Sequence, residues 1–559
     1  MDTQRLVLFF IFSFSLLLLW DAWEKEKRPK PVPVAATKSA PANADVPAAP
    51  AEVKPQSAAT PVVSAPSVPA SVSPGAQGER ITIRTDLYLA EIDTAGASLR
   101  RLELLRHRDG KDDRKNLVLL GPEQGYEAQS GLAGDLGANH RSAWVPEQGP
   151  RELAQGQSSL QLKLSAQGKD GVSVVKTYTF HRDSYLIDVA FEVRNGSTAP
   201  VTPRAYFQIT HSGKLPSQSN AVAETFGAQS FTGYAEYTGE KKYEKVDFSD
   251  IDKGKASHVK QSKDGWLAFV QHYFVSAWLP PDNVDREFAI EKRSDGGYFG
   301  RVILKPSAAI EPGASGTIAS RLYAGPQEQR RLKEAAPGLE LVVDYGWLAV
   351  IAWPLFWVLE QCFALSGNWG VAIILLTVLI KLVFFPLSAA SYKSMAKMKV
   401  ITPRLTRIRE MYGNDRVKMN QAMMDLYKTE KINPLGGCFP ILVQIPVFIA
   451  LYWVLLAAIE LRNAPFVLWI KDLSALDPYY VLPILMTVTM VIQTRLNPKP
   501  PDPVQAKVMQ VMPFVFSIFF FFFPAGLVLY WLVNNILSIL QQWQIQRMFE
   551  RDKPAHAKR

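Results

Sequence analysis

Residues 368–386 read NWGVAIILLTVLIKLVFFP, an apolar run broken by one charged side chain, Lys381. A run of this length predicts a membrane-spanning helix. A lysine near the centre of such a helix is unfavourable by roughly 2.5–3.5 kcal/mol, so it suggests a function. The alternative is a lysine whose flexible stem bends toward the membrane edge marked by Pro386 and Ser388. Ser388 lies about 10 Å farther along the helix, and this segment alone leaves both interpretations open.

The composition indicates a membrane protein. Apolar residues make up 48% of the 559 residues, and they concentrate in long runs in the C-terminal third. Lys and Arg cluster beside these runs, as is typical of membrane topology, and no basic motif with interleaved aromatic residues predicts nucleic-acid recognition. The two cysteines, Cys362 and Cys438, lie in or beside apolar segments, so no disulfide framework is expected in the polar half.

The N-terminal region predicts an anchor and a tether. Residues 6–23 are apolar, and no small-x-small cleavage site follows them. This favours an uncleaved signal anchor within residues 1–28 over a cleaved signal peptide. Residues 29–78 are rich in Pro, Ala, Val and Ser, a composition that cannot bury a core, so a disordered linker is expected there.

Residues 79–338 predict a large antiparallel β-sandwich. Apolar and polar residues alternate with a period of two in several runs that turns separate; these runs are residues 81–89, 160–164, 174–180 and 185–193. The histidines of this region show no metal-ligand spacing, so no metal site, cofactor or catalytic role is expected for them; they are His107, His140, His181, His211, His258 and His272.

The charge distribution orients the membrane half. Residues 391–432 and 495–507 carry an excess of Lys and Arg, whereas residues 460–478 do not, so the basic loops are predicted to be cytoplasmic. A core of residues 367–545 is expected to contain five spans, at about residues 370–388, 440–460, 479–495, 508–523 and 525–545. With the signal anchor there are six spans. Both termini, including a basic tail at residues 546–559, are then cytoplasmic, and the β-sandwich lies outside.

Residues 339–366 do not fit this count. The run from Tyr345 to Leu365 is apolar enough to span, but a seventh crossing would put the signal anchor and the β-sandwich on conflicting sides. Polar residues and Pro354 interrupt the run, and its tryptophans suit an interface. We therefore predict an amphipathic helix that lies on the outer membrane surface.

Polar residues within the spans predict a hydrated cavity. Tyr530, Asn534, Ser538 and Gln541 recur at helical spacing on the last span, and we call these four residues the polar stripe. Thr377 lies one turn from Lys381, and Gln444 begins another span. Ordinary hydrogen bonding between helices is the alternative. No Asp or Glu lies within the spans, so a lysine without a resident acid favours a site that attracts anionic groups.

Residues 391–432 predict a cytoplasmic hairpin of two helices. Apolar side chains at helical spacing form one stripe on each helix, and four of them are methionines: Met395, Met398, Met419 and Met423. Core packing between the two helices explains most of this stripe. Adaptable methionine surfaces also suit variable apolar ligands, so a receiving role is the alternative.

Several longer motifs resemble the YidC family of membrane-protein insertases. They are NPLGGCFP at 433–440, QIP at 444–446, DPYY at 477–480, PAGLVLYW at 524–531, SMAKM at 394–398, VDYGWL at 343–348 and DGW at 264–266. The resemblance covers essentially the whole chain. It implies the six-span Gram-negative type, located in the bacterial inner membrane, with a large periplasmic β-sandwich.

The resemblance also implies a mechanism without covalent chemistry, so no enzyme activity is expected. Family members have a five-helix core around a hydrophilic groove whose cation is usually Arg. Lys381 stands at that position, keeping the charge without the planar fork of Arg. Gln444, Tyr530 and Trp531 match groove-lining positions, and Asn534 lies beside them on the polar stripe. The implied partners are nascent inner-membrane proteins, the lipid bilayer, the Sec translocon with its accessory proteins and, more weakly, the ribosome.

Two other functions remain as alternatives. A secondary transporter would be expected to show internal repeats and a carboxylate within the membrane, and neither is evident. A membrane-anchored sugar-processing enzyme would need a convergent carboxylate or histidine pocket in the β-sandwich. Deletion of residues 79–338 distinguishes this enzyme from an insertase, because an insertase is expected to tolerate loss of most of that domain.

Overall fold

The computed structural model describes residues 78–109, 112, 114–134, 136–214, 231–305, 308–412, 415–430, 439–497 and 503–551. These residues form two compact units, of which one ends at Val343 and the other begins at Asp344. The predicted signal anchor, nearly all of the linker, the segment 431–438 and the end of the basic tail lie outside the described residues.

The first unit contains two antiparallel sheets. One has the order β1-β2-β3-β5-β10-β17-β16-β13, with β4 paired to β3. Its strands are β1 (Arg80–Arg84), β2 (Tyr88–Asp93), β3 (Ser98–Arg108), β4 (Asn116–Leu120), β5 (Glu127–Ala133), β10 (Arg204–His211), β13 (Gln261–Ser262), β16 (Arg286–Lys292) and β17 (Tyr298–Leu304).

The other sheet has the order β12-β11-β14-β15-β18-β9-β8-β7-β6. Its strands are β6 (Val145–Pro146), β7 (Ser159–Gln167), β8 (Val172–His181), β9 (Leu186–Asn195), β11 (Gly233–Thr238), β12 (Lys242–Val246), β14 (Trp266–Gln271), β15 (Phe274–Leu279) and β18 (Ser315–Pro326). Two short helices, α1 (Phe248–Asp252) and α2 (Gln329–Ala335), complete the unit among the described residues.

A core between the two sheets holds this unit together. Strand β8 alternates buried and half-buried residues along its whole length, as the sequence periodicity predicted. Trp278 is buried, its ring centroid lies 5.0 Å from that of Phe207 on the other sheet, and its indole N–H donates to the carbonyl of Gln208 at 3.1 Å. Burial of such aromatic residues stabilises the unit by about 1.5–3 kcal/mol per side chain. The predicted antiparallel β-domain is thereby confirmed.

The second unit is helical. Its described helices are α3 (Ala349–Ser366), α4 (Trp369–Val383), α5 (Phe385–Tyr412), α6 (Arg416–Thr429), α7 (Phe439–Ala457), α8 (Val481–Leu496), α9 (Pro503–Phe520) and α10 (Ala525–Arg551). The side chain of Asn368 accepts a hydrogen bond from the Val371 amide at 3.1 Å, and this N-cap fixes the start of α4.

Two helix boundaries differ from the sequence-based expectation. The span expected at about 370–388 breaks after Val383, and α4 and α5 meet at an angle of 67°. Pro386 lies in the first turn of α5, where its missing N–H removes no helical hydrogen bond, so it opens the next helix rather than ending the first. The last helix continues to Arg551, into the expected basic tail.

By length and composition alone, one helix in the described part of the chain, Gly346–Ser366, suffices to cross a membrane. The helices α4 and α5 meet the same criterion only as a bent pair. Shorter apolar helices follow at Val443–Ala457, Val481–Leu496 and Ala506–Phe520. Gly346–Ser366 contains α3, the helix that the sequence predicts on the membrane surface. This helix carries apolar residues both on its buried side (Phe356, Leu359) and on its exposed side (Trp357, Leu365).

Candidate functional site

Lys381 is buried within the helical unit. Only 6% of its surface is exposed, and its ammonium donates a hydrogen bond to the Ser538 hydroxyl at 2.8 Å. That hydroxyl donates in turn to the carbonyl of Asn534 at 2.7 Å. A lysine ammonium has three N–H donors. Among the described residues Ser538 is the one acceptor it contacts, so two donors are available to water or to an incoming group.

The ammonium faces a cavity of about 280 Å³. Helices α4, α5, α7, α8 and α10 supply its walls; the lining residues are Lys381, Ser388, Ser391, Tyr392, Met395, Gln444, Ile445, Phe448, Gln493, Asn497, Asn534, Asn535 and Ser538. Most of these side chains carry a hydroxyl or an amide. Such groups can replace the water around a polar segment, and the cavity is large enough to hold several water molecules.

Polar contacts join the walls of the cavity. The Gln444 amide N–H₂ donates to the Asn534 side-chain oxygen at 3.4 Å, which links α7 to α10. The Gln542 amide donates to the Asn497 side-chain oxygen at 3.2 Å, which links α10 to the end of α8. These bonds are long and made between neutral groups, so a competing ligand can exchange with them at little cost.

The described lining of the cavity carries a positive charge and no negative charge. Lys381 is the one charged residue among the described lining residues, and none of them is acidic. An unpaired buried cation is unfavourable in a medium of low dielectric constant, so a negatively charged ligand would bind favourably there. The arrangement suits the temporary binding of an anionic or strongly polar group.

The structure places three of the predicted groove residues on this cavity and three away from it. Lys381, Gln444 and Asn534 line it. Trp531 packs between aromatic rings, with centroid distances of 4.9 Å to Phe448 and 4.1 Å to Phe520. Tyr530 is buried, and its ring centroid lies 5.8 Å from that of Phe448. Thr377 is also buried, and its hydroxyl donates to the Ile373 carbonyl in its own helix at 2.6 Å.

We predict that the Thr377→Val substitution leaves insertion activity within about two-fold of the wild type. The Thr377 hydroxyl bonds only its own helix among the described contacts, so an isosteric methyl group loses no contact with the cavity. Insertion of a small Sec-independent membrane protein into vesicles measures the effect. A loss comparable to that of Lys381→Ala would show instead that the Thr377 hydroxyl takes part in substrate binding.

Sequence reasoning missed several polar lining residues. Ser388 and Ser391 lie one turn apart on α5, which the sequence assigned partly to a straight span and partly to the hairpin. The break after Val383 turns this face toward Lys381, and a proline two residues beyond the break was the available signal. Asn535, which lies next to Asn534 on α10, and Asn497, which follows the end of α8, were also missed, and their amide side chains could have been grouped with the polar stripe.

The four predicted hairpin methionines have different surroundings. Met398 and Met423 pack against the buried pair Ile401 and Leu405, together with Leu426 and Tyr427, and this seam joins α5 to α6. Met395 lines the cavity instead. Met419 is half-buried. The described residues contain no group of His, Cys, Asp and Glu side chains suited to hold a metal ion.

Comparison with known proteins covers both units. The family model of the YidC periplasmic domain matches residues 80–358, and that of the 60Kd inner membrane protein matches residues 361–553. A crystal structure of an active YidC insertase with the first transmembrane domain resolved aligns with 82% of this chain and with 91% of the crystallised chain, at 17% identity and a TM-score of 0.38.

Full-length relatives are much closer in sequence. The chain is 55% identical to the membrane protein insertase YidC of Methylobacillus flagellatus over 556 residues, which are 99% of this chain and 98% of that protein. It is 54% identical to the insertase YidC of Aromatoleum aromaticum over 555 residues, or 99% of each chain. These matches confirm the prediction of an insertase rather than an enzyme. The chain belongs to the YidC family of membrane protein insertases, inner-membrane proteins with a periplasmic domain.

Proposed function

We propose that the cavity at Lys381 receives a short polar, often acidic, segment of a membrane protein during its insertion. The observation that carries this proposal is the buried ammonium, which faces a polar cavity of about 280 Å³ with no acidic residue among its described lining. The substrate's carboxylate completes the ion pair that the protein leaves open. Hydroxyl and amide groups of the cavity hydrate the rest of the segment.

The attraction between Lys381 and a substrate carboxylate is comparable to the free energy needed to bring that carboxylate into the membrane. A charged side chain at the centre of a membrane helix is unfavourable by roughly 2.5–3.5 kcal/mol. Two opposite charges about 5 Å apart attract each other by about 3 kcal/mol at an effective dielectric constant of 20. The Lys381 ammonium can therefore offset most of the unfavourable free energy of bringing one substrate carboxylate partway across the bilayer.

The short helices of the core also ease the passage of a polar segment across the membrane. Helix α8 runs from Val481 to Leu496, and 16 residues of α-helix extend about 24 Å. The hydrocarbon layer of a typical bilayer is about 30 Å thick. A bilayer thins locally around a short hydrophobic helix at a modest cost in free energy, which shortens the path of the polar segment.

The apolar segment of the substrate moves into lipid along the last two core helices in this proposal. Helix α9 exposes Phe514, Phe516 and Ile518, and α10 exposes Ile536 and Leu540. These side chains present an apolar surface that an arriving transmembrane helix can pack against. Simple contact with lipid explains the same exposure, so the surface supports an exit route without requiring one.

The predicted topology belongs to the same proposal. The six spans, the cytoplasmic termini and the placement of α3 on the outer membrane surface follow from loop charges and from the resemblance to the family. Exposed basic residues on α5, including Lys393 and Arg404, suit contact with the ribosome as the chain emerges. Cooperation with the Sec translocon rests on the family resemblance, with the periplasmic domain as the surface for partner contacts.

Photo-crosslinking from the cavity tests this function. A photoreactive residue at Ile445 or Asn535, which line the cavity, is expected to crosslink the polar segment of a stalled, Sec-independent substrate. Ile536 and Leu540 are matched controls, since they lie on α10 near Asn535 but are exposed and do not line the cavity. Equal crosslinking of the polar segment from the cavity and from the controls would contradict the proposal.

A further inference from the structure

Strand β18 has one edge that is paired over only half of its length. Along one side it pairs with β9 from Ser315 to Tyr323. Along the other side it pairs with β15 only from Arg321 to Pro326. The chain leaves β15 after Leu279 through Pro280 and Pro281, and a proline has no N–H with which to continue the ladder. Among the described residues no strand pairs with residues 315–320 of this central strand on that side, which we call the free side.

The hydrogen-bond pattern shows which backbone groups point to that free side. The Ala324 amide donates to Tyr185, next to β9, and the Gln327 amide donates to Tyr273, next to β15. Because backbone groups alternate along a strand, the odd-numbered residues face the β15 side. Ser315, Thr317 and Ala319 thus direct their N–H and C=O groups to the free side, where they have no backbone partner among the described residues.

A groove runs beside these three residues. Its volume is about 450 Å³, and its apolar lining includes Pro203, Val284, Leu304, Ile310 and Ile318. The side chains of Ser315, Thr317 and Ala319 are exposed, whereas Ile318 is half-buried and lines the groove. An added strand would therefore place alternate side chains in the groove and the others in solvent. Addition of an extended peptide to a free sheet edge is a common mode of recognition.

The linker of this chain is long enough to reach the groove. In the first sheet, Arg80, Asp93 and Ser98 lie at one end of their strands, and Ala133 and Leu304 lie toward the same end of theirs. The linker precedes Arg80, so it joins the domain at the end of the sheet where the groove lies. Five strand spacings separate β1 from β17, or about 24 Å. Residues 66–77 can extend over about 40 Å, which is more than enough.

One short segment of the linker matches the groove. Pro61-Val62-Val63-Ser64-Ala65-Pro66 contains consecutive β-branched residues, which favour a strand, and it ends in a proline on each side. If Val62 and Ser64 pair with the edge, their side chains face solvent beside Ala319 and Thr317. The small apolar side chains of Val63 and Ala65 then enter the groove.

We propose that residues 62–65 of the linker add to the free edge of β18 as a short antiparallel strand. This contact fastens the linker to the periplasmic domain and leaves residues 29–61 as the free tether to the signal anchor. It is independent of the cavity at Lys381, so its failure would leave the insertase mechanism intact.

Hydrogen exchange on the full chain in lipid nanodiscs tests the proposal. The amides of Thr317 and Ala319 are expected to exchange about ten-fold more slowly in the wild type than in Ser64→Pro, which lacks the central donor of the added strand. Ser71→Pro is the matched control, because it places a proline in the same linker outside the segment. Its exchange is expected to equal that of the wild type.

A second variant replaces Thr60–Ala65 with a Gly-Ser sequence of equal length and is expected to exchange as fast as Ser64→Pro. Equal exchange in the wild type and both linker variants would overturn the proposal. Slow exchange that survives the replacement but is lost on dilution would also overturn it, because a second copy of the chain would then occupy the edge. The linker variants change no residue of the strands and helices that the structure describes, so the comparison does not depend on the stability of those elements.

Discussion

The Lys381→Ala substitution is expected to lower the insertion of a small Sec-independent membrane protein with an acidic segment by at least about ten-fold. The substitution removes an attraction of about 3 kcal/mol, and a loss of 1.4 kcal/mol at the rate-limiting step already corresponds to ten-fold in rate. Lys381→Arg keeps the charge and is expected to stay within about three-fold. The measurement is the protease-protected fraction of substrate in vesicles that contain each variant.

Two comparisons separate the charge from other effects of substitution. Lys163→Ala removes an exposed lysine from β7 of the periplasmic domain and is expected to behave as the wild type. A substrate whose acidic residues are replaced by their amides is expected to insert equally well with Lys381 and with Ala at that position. If Lys381→Ala inserts the acidic substrate as well as Lys381→Arg does, the positive charge does not drive insertion.

Lys381, a single charge on an apolar run, pointed to the centre of the candidate site from sequence alone. The periodicity of the sequence did not predict all of the residues that line the cavity around it. Asn534 and Ser538 were found because they repeat at helical spacing on one straight helix. Ser388 and Ser391 were missed because they reach the cavity only through the 67° break between α4 and α5. Where a helix breaks depends on packing against its neighbours, and this information is absent from local spacing.

Thr377 and Tyr530 show the opposite difference between sequence and structure. Both lie at the spacing or position that suggested a groove, yet each is buried and neither is among the described residues that line the cavity. A polar atom on an apolar helix can bond its own backbone or pack by its ring, and sequence does not distinguish these arrangements from a wet surface. In the β-domain the two-residue period was sufficient, because alternation and burial are set by the same geometry.

The Glu236→Gln substitution is expected to stabilise the periplasmic domain at pH 8 by up to about 3 kcal/mol and to leave it unchanged at pH 4. Glu236 on β11 is buried, one carboxyl oxygen has no partner among the described residues, and burial raises its pKa to about 7. The folded domain therefore holds a proton that the unfolded chain releases above about pH 4.5. Stability is lost as the pH rises from 4.5 to 7, at 1.36 kcal/mol per unit of pKa shift.

Burial of His211 changes the stability with pH in the direction opposite to burial of Glu236. Its ring stacks on that of Phe269 with centroids 4.6 Å apart, its Nδ1 accepts from the Gly213 amide at 2.9 Å, and burial lowers its pKa to about 4. The unfolded chain takes up a proton below about pH 6.5 that the folded domain refuses, so stability is lost as the pH falls from 6.5 to 4. The two losses are of similar size and overlap, so these two groups together are expected to change the stability little between pH 4.5 and 6.5. Burial also lowers the pKa of His258, which adds a loss in the same direction as that of His211.

Each single substitution should expose the slope of the other group. Urea unfolding of residues 78–343, followed by tryptophan fluorescence, is expected to give a stability that rises by at least about 3 kcal/mol from pH 4 to 7 in Glu236→Gln, because the opposing loss at Glu236 is absent. In His211→Asn the stability is expected to fall over the same range. Glu192→Gln, which removes an exposed carboxylate from β9, should keep the wild-type profile. If the stability of Glu236→Gln did not change between pH 4 and 7, His211 would not titrate in this range. This conclusion holds whatever the overall stability of the variant, because the slope of the unfolding free energy with pH depends on the number of bound protons and not on packing.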